Sequence, residues 1–371
     1  MEDRKKKRKS RSRLIVLILG AAALLTLAVV LILNGGIGGT IRALKGEPAK
    51  NYYYEHHGKT AYAAVGRSFA VLDPTELKLW NEQGESVYSA LLSFKTPELS
   101  CSGEYAAAWD IGGSEVLCIN ESGLAYRFSE TGRIISVSIN SKGYAAVCTE
   151  ETGYGGAVTV YNPKGRALYK VYSGSKYVLN AKVNDTSEVA VLGVGAGESE
   201  ITLYKVTEEN PKAKYSFPGL ILDFNVNDGG YAAITQDRVI FLDRNLSERA
   251  TFSFEGRYLA SYDIKKDITA VIIGEYQLGG AHEIVTLEND GSVIARTVTN
   301  EEIEWFAMGE RTAALFSPGK IEIFTYRLEP KESVAPPAGT EKVLFRDDGA
   351  LLAVGPYSTE LIELGDKKQA N

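Results

Sequence analysis

One short apolar segment recurs eight times along this chain, and its spacing limits the folds open to it. The copies are Phe69-Ala70-Val71, Tyr105-Ala106-Ala107-Ala108, Tyr144-Ala145-Ala146-Val147, Val189-Ala190-Val191, Tyr231-Ala232-Ala233-Ile234, Thr269-Ala270-Val271, Ala313-Ala314-Leu315 and Leu352-Ala353-Val354. Between Ala70, Ala107, Ala146, Ala190, Ala233, Ala270, Ala314 and Ala353 the steps are 37, 39, 44, 43, 37, 44 and 39 residues. A period of about 40 residues built from β-patterned segments marks a β-propeller with one blade per repeat. The expected fold is all-β, with eight four-stranded blades, or seven if the first or last repeat is not a full blade. A lone four-stranded sheet has too little core, whereas radial stacking buries both of its faces. Alanine permits close sheet-to-sheet approach near the axis, where space is narrowest.

Within a repeat the pattern is strand and tight turn. The second repeat reads as an inner strand within Ser89 to Cys101, then Tyr105 to Asp110, Glu115 to Asn120 and Leu124 to Glu130. The third reads as Arg133 to Asn140, Gly143 to Glu150, Ala157 to Asn162 and Ala167 to Tyr172. Val, Ile, Tyr and Phe fill the strands, and Gly, Asn and Asp mark the turns. Asn81-Glu82-Gln83-Gly84, Asn120-Glu121-Ser122-Gly123, Asn162-Pro163-Lys164-Gly165 and Asn289-Asp290-Gly291 read as turns between third and fourth strands. Asn starts such turns and Gly accepts the positive φ at their end. The eighth repeat holds only three strands, Lys342 to Arg346, Leu351 to Pro356 and Glu360 to Leu364. Its fourth is expected from Asn51 to His57, closing the ring through both ends of the domain. Leu328 to Thr340, with Pro330, Pro336 and Pro337, reads as a long excursion between the third and fourth strands of the seventh repeat.

The N-terminus is of another kind. Residues 4–13 hold eight Lys or Arg, and Leu14 to Leu33 follows without a charge. Twenty helical residues span roughly 30 Å, the thickness of a bilayer core. The positive-inside rule keeps the basic cluster in the cytoplasm and places the remainder outside. A cleaved signal peptide fits less well, because Asn34-Gly35-Gly36-Ile37-Gly38-Gly39 is a poor cleavage site. The expected organisation is a basic tail at 1–13, a transmembrane helix at 14–33, a linker at 34–50, the propeller at 51–366 and a tail at 367–371. Eight of the 41 Lys and Arg but two of the 47 Asp and Glu precede Leu14, so the rest carries 33 against 45, near −12. That field argues against nucleic acid as a partner.

In a propeller the loops from second to third strand share one face with the blade-to-blade links. Asp110 to Ser114, Thr149 to Gly156, Gly193 to Ser199 and Gly274 to His282 read as the longer, glycine-rich loops of that face. Binding residues favour loops on a rigid scaffold. Tyr154, Tyr276 and His282 are the expected contacts, with Glu150, Glu151 and Glu275 supplying negative charge; simple solvated loops are the alternative.

The chemistry the sequence omits is equally informative. The histidines are His56, His57 and His282; on a strand the adjacent pair would point to opposite faces, which suits no single metal. No His-x-Glu, Cys-x-x-Cys, calcium loop, P-loop or Gly-x-Ser-x-Gly is present. The residues imply no cofactor. Cys118 and Cys148 read as small buried apolar groups, and Cys101 is not expected to pair with Cys118 across non-adjacent strands. Most of the 21 tyrosines, such as Tyr105, Tyr144, Tyr161, Tyr204 and Tyr231, fall at strand positions and read as packing residues.

The order of basic tail, single span, linker and Ala-rich β-repeats, with the run from Gly143-Tyr144-Ala145-Ala146-Val147 to Val158-Thr159-Val160-Tyr161-Asn162-Pro163-Lys164-Gly165, resembles a bacterial family of membrane-anchored propeller proteins of unknown function. The resemblance spans nearly the whole chain and implies architecture and topology but no activity. The chain is also broadly similar to quinoprotein-type propellers, but with only Trp80, Trp109 and Trp305 it lacks their repeated Trp docking signatures. Trp109-Asp110 is a single instance of the WD40 dipeptide. The leading expectation is a non-enzymatic, membrane-anchored binding or scaffold module of a bacterial cell envelope. It would hold a protein partner or a cell-envelope ligand on the long-loop face. The alternatives are a propeller enzyme, cofactor-dependent or using carboxylates such as Glu150 and Glu275, and a sensor signalling through its span.

Overall fold

The computed structural model describes residues 51–55, 57–184, 187–227, 229–276, 280–362 and 364. The chain divides after Ala49, and all of these residues fall in the unit that begins at Lys50. The basic tail, the expected span at 14–33, the linker, His56 and the tail from 367 lie outside the described residues.

Eight four-stranded antiparallel sheets follow one another. β1 (Asn51–Tyr53) opens the domain but belongs to the last blade. Blade 1 is β2 (Ala61–Val65), β3 (Ser68–Leu72), β4 (Glu76–Trp80) and β5 (Ser86–Leu91). Blade 2 is β6 (Pro97–Ser102), β7 (Tyr105–Asp110), β8 (Glu115–Asn120) and β9 (Gly123–Ser129). Blade 3 is β10 (Ile134–Ile139), β11 (Ala145–Thr149), β12 (Gly156–Tyr161) and β13 (Ala167–Ser173). Blade 4 is β14 (Tyr177–Asn184), β15 (Glu188–Gly195), β16 (Glu198–Lys205) and β17 (Pro211–Phe217). Blade 5 is β18 (Ile221–Asn227), β19 (Gly230–Thr235), β20 (Arg238–Asp243) and β21 (Glu248–Ser253). Blade 6 is β22 (Tyr258–Lys265), β23 (Ile268–Gly274), β24 (His282–Glu288) and β25 (Val293–Thr299). Blade 7 is β26 (Trp305–Met308), β27 (Thr312–Ser317), β28 (Lys320–Thr325) and β29 (Pro330–Val334). Blade 8 is β30 (Lys342–Phe345), β31 (Leu351–Val354) and β32 (Ser358–Ile362), completed by β1.

The ring closes as the count of strands requires. Asn51 pairs with Glu360, Tyr52 with Thr359 and Tyr53 with Ser358, and the Tyr54 N–H continues the ladder to the Tyr357 carbonyl at 3.1 Å. The blade count is eight, not seven.

All eight marker alanines sit on second strands and are buried. Strand alternation sends successive side chains to opposite neighbours. Ala106 and Ala108 pack toward blade 1 with Leu72, Leu77 and Leu79, while Ala107 and Trp109 pack toward blade 3 with Val137 and Ile139. Both faces are therefore core, which is why these strands read as unbroken apolar runs. At the junction of blades 8 and 1 the packing is aromatic instead, with Tyr52, Phe69 and Trp80 in mutual contact.

The turns follow from asparagine chemistry. Asn81 Oδ1 accepts from the Gln83 and Glu85 N–H groups at 3.0 and 2.9 Å, and Asn162 does the same for Lys164 and Arg166 at 3.0 and 3.1 Å. Gly84 and Gly165 then take φ of 79° and 69°. Inner strands are tied across junctions as well. Ser136 Oγ donates to the Leu179 carbonyl at 2.7 Å, Asn180 Nδ2 to Asp223 at 3.2 Å, and the Met308 N–H to Asp263 at 2.8 Å.

The inner strand expected within Ser89 to Cys101 is Pro97–Ser102, after the outer strand of blade 1 ends at Leu91. Two boundaries differ from expectation. Gly193 to Ser199 is not a long loop: Gly193 pairs with Glu200 and Gly195 with Glu198, leaving a two-residue turn. Gly193 and Gly195 are strand residues crossed by Lys176, whose Cβ lies 2.8 Å from where a Cβ on Gly193 would sit. Leu328 to Thr340 is not one excursion. Pro330 opens the outer strand of blade 7, a position where the missing N–H faces no neighbour, and Pro336 and Pro337 lie in the link to blade 8.

Candidate functional site

Strand direction sorts every loop to one of two faces. Inner and third strands begin, and second and outer strands end, at the face of the long loops. The opposite face carries the tight turns, where the chain also enters at Asn51 and leaves after Ile362. Eight aromatic side chains are exposed among the described residues: Tyr53, Tyr154, Tyr172, Tyr177, Tyr258, Tyr276, Trp305 and Tyr357. Each lies in a long-face loop or within two residues of a strand end at that face. The exposed large apolar residues at the tight-turn ends are the aliphatic Val87, Leu124, Leu168 and Val293, all on outer strands.

The sequence-derived residues fall into two separate groups. Tyr154, Glu150 and Glu151 lie in the blade 3 loop, whose form is set by its backbone. The Glu150 N–H donates to the Arg133 carbonyl at 2.9 Å, Tyr154 to Glu151 at 3.1 Å and Gly155 to Ser173 at 2.8 Å. Gly155 has no room for a side chain, since a Cβ there would stand 2.0 Å from the Lys176 carbonyl oxygen. The Tyr154 ring stands 4.9 Å from that of Tyr172, and Lys170 Nζ lies 5.1 Å over Tyr172 while pairing with Glu151 at 3.1 Å. Burial pulls the Lys170 ammonium down, but the hydrogen bond and charge of Glu151 outweigh it and leave its pKa above the ordinary value. Glu151 is thus neutralised locally, and Glu150 lies 3.9 Å from Arg133.

Glu275, Tyr276 and His282 belong to blade 6, with blades 4 and 5 between the two groups. Glu275 and Tyr276 are exposed. His282 opens β24 opposite Gly274 and Thr299, and its Nδ1 is buried without a partner. The six residues do not converge on one point, and Glu150 and Glu275 form no catalytic pair.

Sequence reasoning missed a further set of residues on this face. The inner strands of blades 4 to 7 present Tyr177, Leu179, Leu220, Leu222, Tyr258 and Trp305, all exposed, where they or their links begin at the long-loop face. They form an apolar arc over four consecutive blades at that face. Beyond Trp305, Lys342 lies 5.1 Å over its ring and 4.9 Å over that of Tyr62, and burial lowers the Lys342 pKa. The available signal was a bulky residue at the start of each of these four inner strands, Tyr177, Ile221, Tyr258 and Trp305.

The acidic groups elsewhere have structural duties. Asp110, of the Trp-Asp dipeptide, accepts the Lys95 and Thr96 N–H groups at 2.9 and 2.5 Å. Burial pushes the Asp263 carboxyl above its ordinary range. The three cysteines are unbonded to one another, and burial raises the Cys118 and Cys148 thiols to about 12. Among the described residues no three His, Cys, Asp or Glu side chains are grouped to hold a metal ion.

Solved structures share this fold at low identity. A Dos1 propeller aligns with a TM-score of 0.59 at 13% identity, covering 86% of this chain and 95% of that one. A eukaryotic initiation factor aligns with a TM-score of 0.55 at 15% identity, covering 84% of each chain. The Cps50 (Swd1) propeller domain of Myceliophteria thermophila aligns at 0.50 and 12% identity, covering 74% of this chain and 98% of that one. No curated protein matches the sequence. Residues 47–335 match the profile of a family of unknown function, DUF5711.

Proposed function

The chain belongs to this family, DUF5711, and from that premise we propose that it is a non-enzymatic binding or scaffold module that docks a protein partner on its long-loop face. The observation that carries the reading is the distribution of exposed aromatics, all eight of which lie at that face among the described residues. Tyrosine and tryptophan contribute large contact area at small entropic cost and dominate the energetics of protein interfaces. A solvated loop surface has no reason to collect them on one side.

The cellular setting we propose follows from the N-terminal sequence. Eight basic residues before an uncharged 20-residue apolar run support a single-pass anchor, with the N-terminus in the cytoplasm and the propeller outside, on the cytoplasmic membrane of a bacterial envelope. Residues 34–50 would then serve as linker. Tyr154 flanks the docking arc on blade 3, and Tyr276, Glu275 and His282 lie beside it on blade 6.

The test is to crosslink the full-length protein in its native membrane and compare Tyr177→Ala/Tyr258→Ala with Lys142→Ala/Lys164→Ala, a matched pair on the tight-turn face. A discrete crosslinked partner lost in the first variant and kept in the second supports the reading. A partner lost only in the second overturns it.

A further inference from the structure

The seam that closes the ring leaves an opening between blades 8 and 1. Outer strands of blades 1 to 7 run five to seven residues, whereas β1, the outer strand of blade 8, has three. Its Tyr52 packs against Phe69 and Trp80 of blade 1, but the strand ends at Tyr53. The outer part of blade 1, carried by Glu76 and Lys78 on β4, is left uncovered. The result is a groove of about 510 Å³, against about 90 Å³ for the crevice between blades 3 and 4. The larger volume lies within the range of sites that hold small ligands or single side chains.

The lining has a definite chemistry. Tyr53, 71% exposed, and Tyr54 give the groove aromatic walls. Glu55, Asp73 and Glu76 bring three carboxylates against one ammonium, that of Lys78. Burial alone would raise the Asp73 carboxyl, but hydrogen bonds from Thr75 and the Glu76 N–H hold it below its ordinary value, so it stays ionised. His57 lies between Glu55 and Asp73, at 3.5 and 3.1 Å, and Glu76 accepts from Ser89 Oγ at 2.6 Å. Lys78 Nζ already rests 5.2 Å over the Trp80 ring, so the groove accommodates an ammonium on an aromatic face. Ring faces and carboxylates together favour cations over neutral or anionic groups. β1 is also the last strand of its sheet, so the backbone of Asn51–Tyr53 presents an open edge beside the groove. An extended chain can add to such an edge and drop alternate side chains into a neighbouring pocket.

We propose that this groove is a second binding site, for the Lys or Arg side chain of a basic, extended peptide. It lies at the seam of blades 8 and 1, on the same face as the docking arc, and meets the arc's end at Trp305 through Tyr62 and Lys342.

The experiment is fluorescence anisotropy of a labelled tri-lysine peptide with the full chain in detergent micelles at low salt. Glu55→Gln/Glu76→Gln should weaken binding at least tenfold and Tyr53→Ala at least threefold, with unchanged melting temperatures. Glu208→Gln/Glu209→Gln removes the same charge from the tight-turn face and should leave binding unchanged. Absence of tri-lysine binding, or equal losses in the two double variants, overturns the proposal. So does binding of a neutral N-acetylglucosamine oligomer that excludes tri-lysine, which would assign the groove to saccharides.

Discussion

Replacing Tyr52 by alanine should loosen the whole ring, although β1 contributes only three paired residues. Tyr52 is 1% exposed, with its ring 5.3 Å from Phe69 and 6.3 Å from Trp80. Its hydroxyl accepts from Arg346 Nη1 at 3.3 Å. Arg346 is itself fully buried, and its remaining side-chain partner is Asp348, at 2.7 Å from Nη2 and 3.2 Å from Nε. The variant therefore empties an aromatic site and withdraws a partner from a buried guanidinium. Deleting a buried aromatic side chain costs roughly 3–5 kcal/mol. Unfolding entropy of about 2 cal/mol/K per residue, over roughly 310 residues, converts that to a fall of about 5–8 °C. Tyr52→Phe keeps the ring and loses only the hydroxyl, for about 1 kcal/mol. Tyr53→Ala, at the solvated neighbour, should cost under about 0.5 kcal/mol. Thermal unfolding of the full chain in detergent, followed by tryptophan fluorescence, reads all three because Trp80 lies at the seam. A Tyr52→Ala melting temperature within a degree of wild type would refute the closure argument.

Two further variants probe local strain and buried charge. Gly155→Ala forces a Cβ to within 2.0 Å of the Lys176 carbonyl oxygen. The backbone must shift, so about 1–3 kcal/mol should be lost, with faster proteolysis in residues 150–155 as the second readout. Asp263 has a pKa raised above 3.8 by burial, so the native state holds its proton more tightly than the unfolded chain does. The stability associated with it is full below 3.8 and is lost as pH rises through the raised native pKa. Asp263→Asn should match wild type in thermal melts at pH 4 and exceed it at pH 7, and a variant less stable at pH 7 would contradict the sign.

The architecture was legible because it rests on short-range rules repeated at a fixed period. Second strands buried on both faces read as unbroken apolar runs, Asn and Gly mark turns by their own hydrogen bonding and φ, and a three-stranded last repeat demands a strand from elsewhere. Where a residue type serves two ends, the sequence misled. Gly193 and Gly195 resemble a flexible loop but are bare because Lys176 crosses them, and Pro330 resembles a loop breaker but starts an edge strand. The candidate site was the least legible part. Tyr154 and Tyr276 share a face, but ring geometry puts them on blades 3 and 6, which loop length alone does not encode. Tyr177 and Tyr258 are exposed at the long-loop face, whereas Tyr231 and Tyr161 are buried; in sequence all four are tyrosines of a β-repeat, and only the strand position separates them.

The central claim is that one face of this propeller is a docking face. The most direct measurement is photo-crosslinking in living cells, with a photoreactive residue placed singly at Tyr177, Tyr258 and Trp305, and at Lys142, Lys164 and Asn245 on the tight-turn face. The account predicts one discrete adduct from the first set and none from the second. An adduct formed equally from both sets, or only from the tight-turn positions, would contradict it.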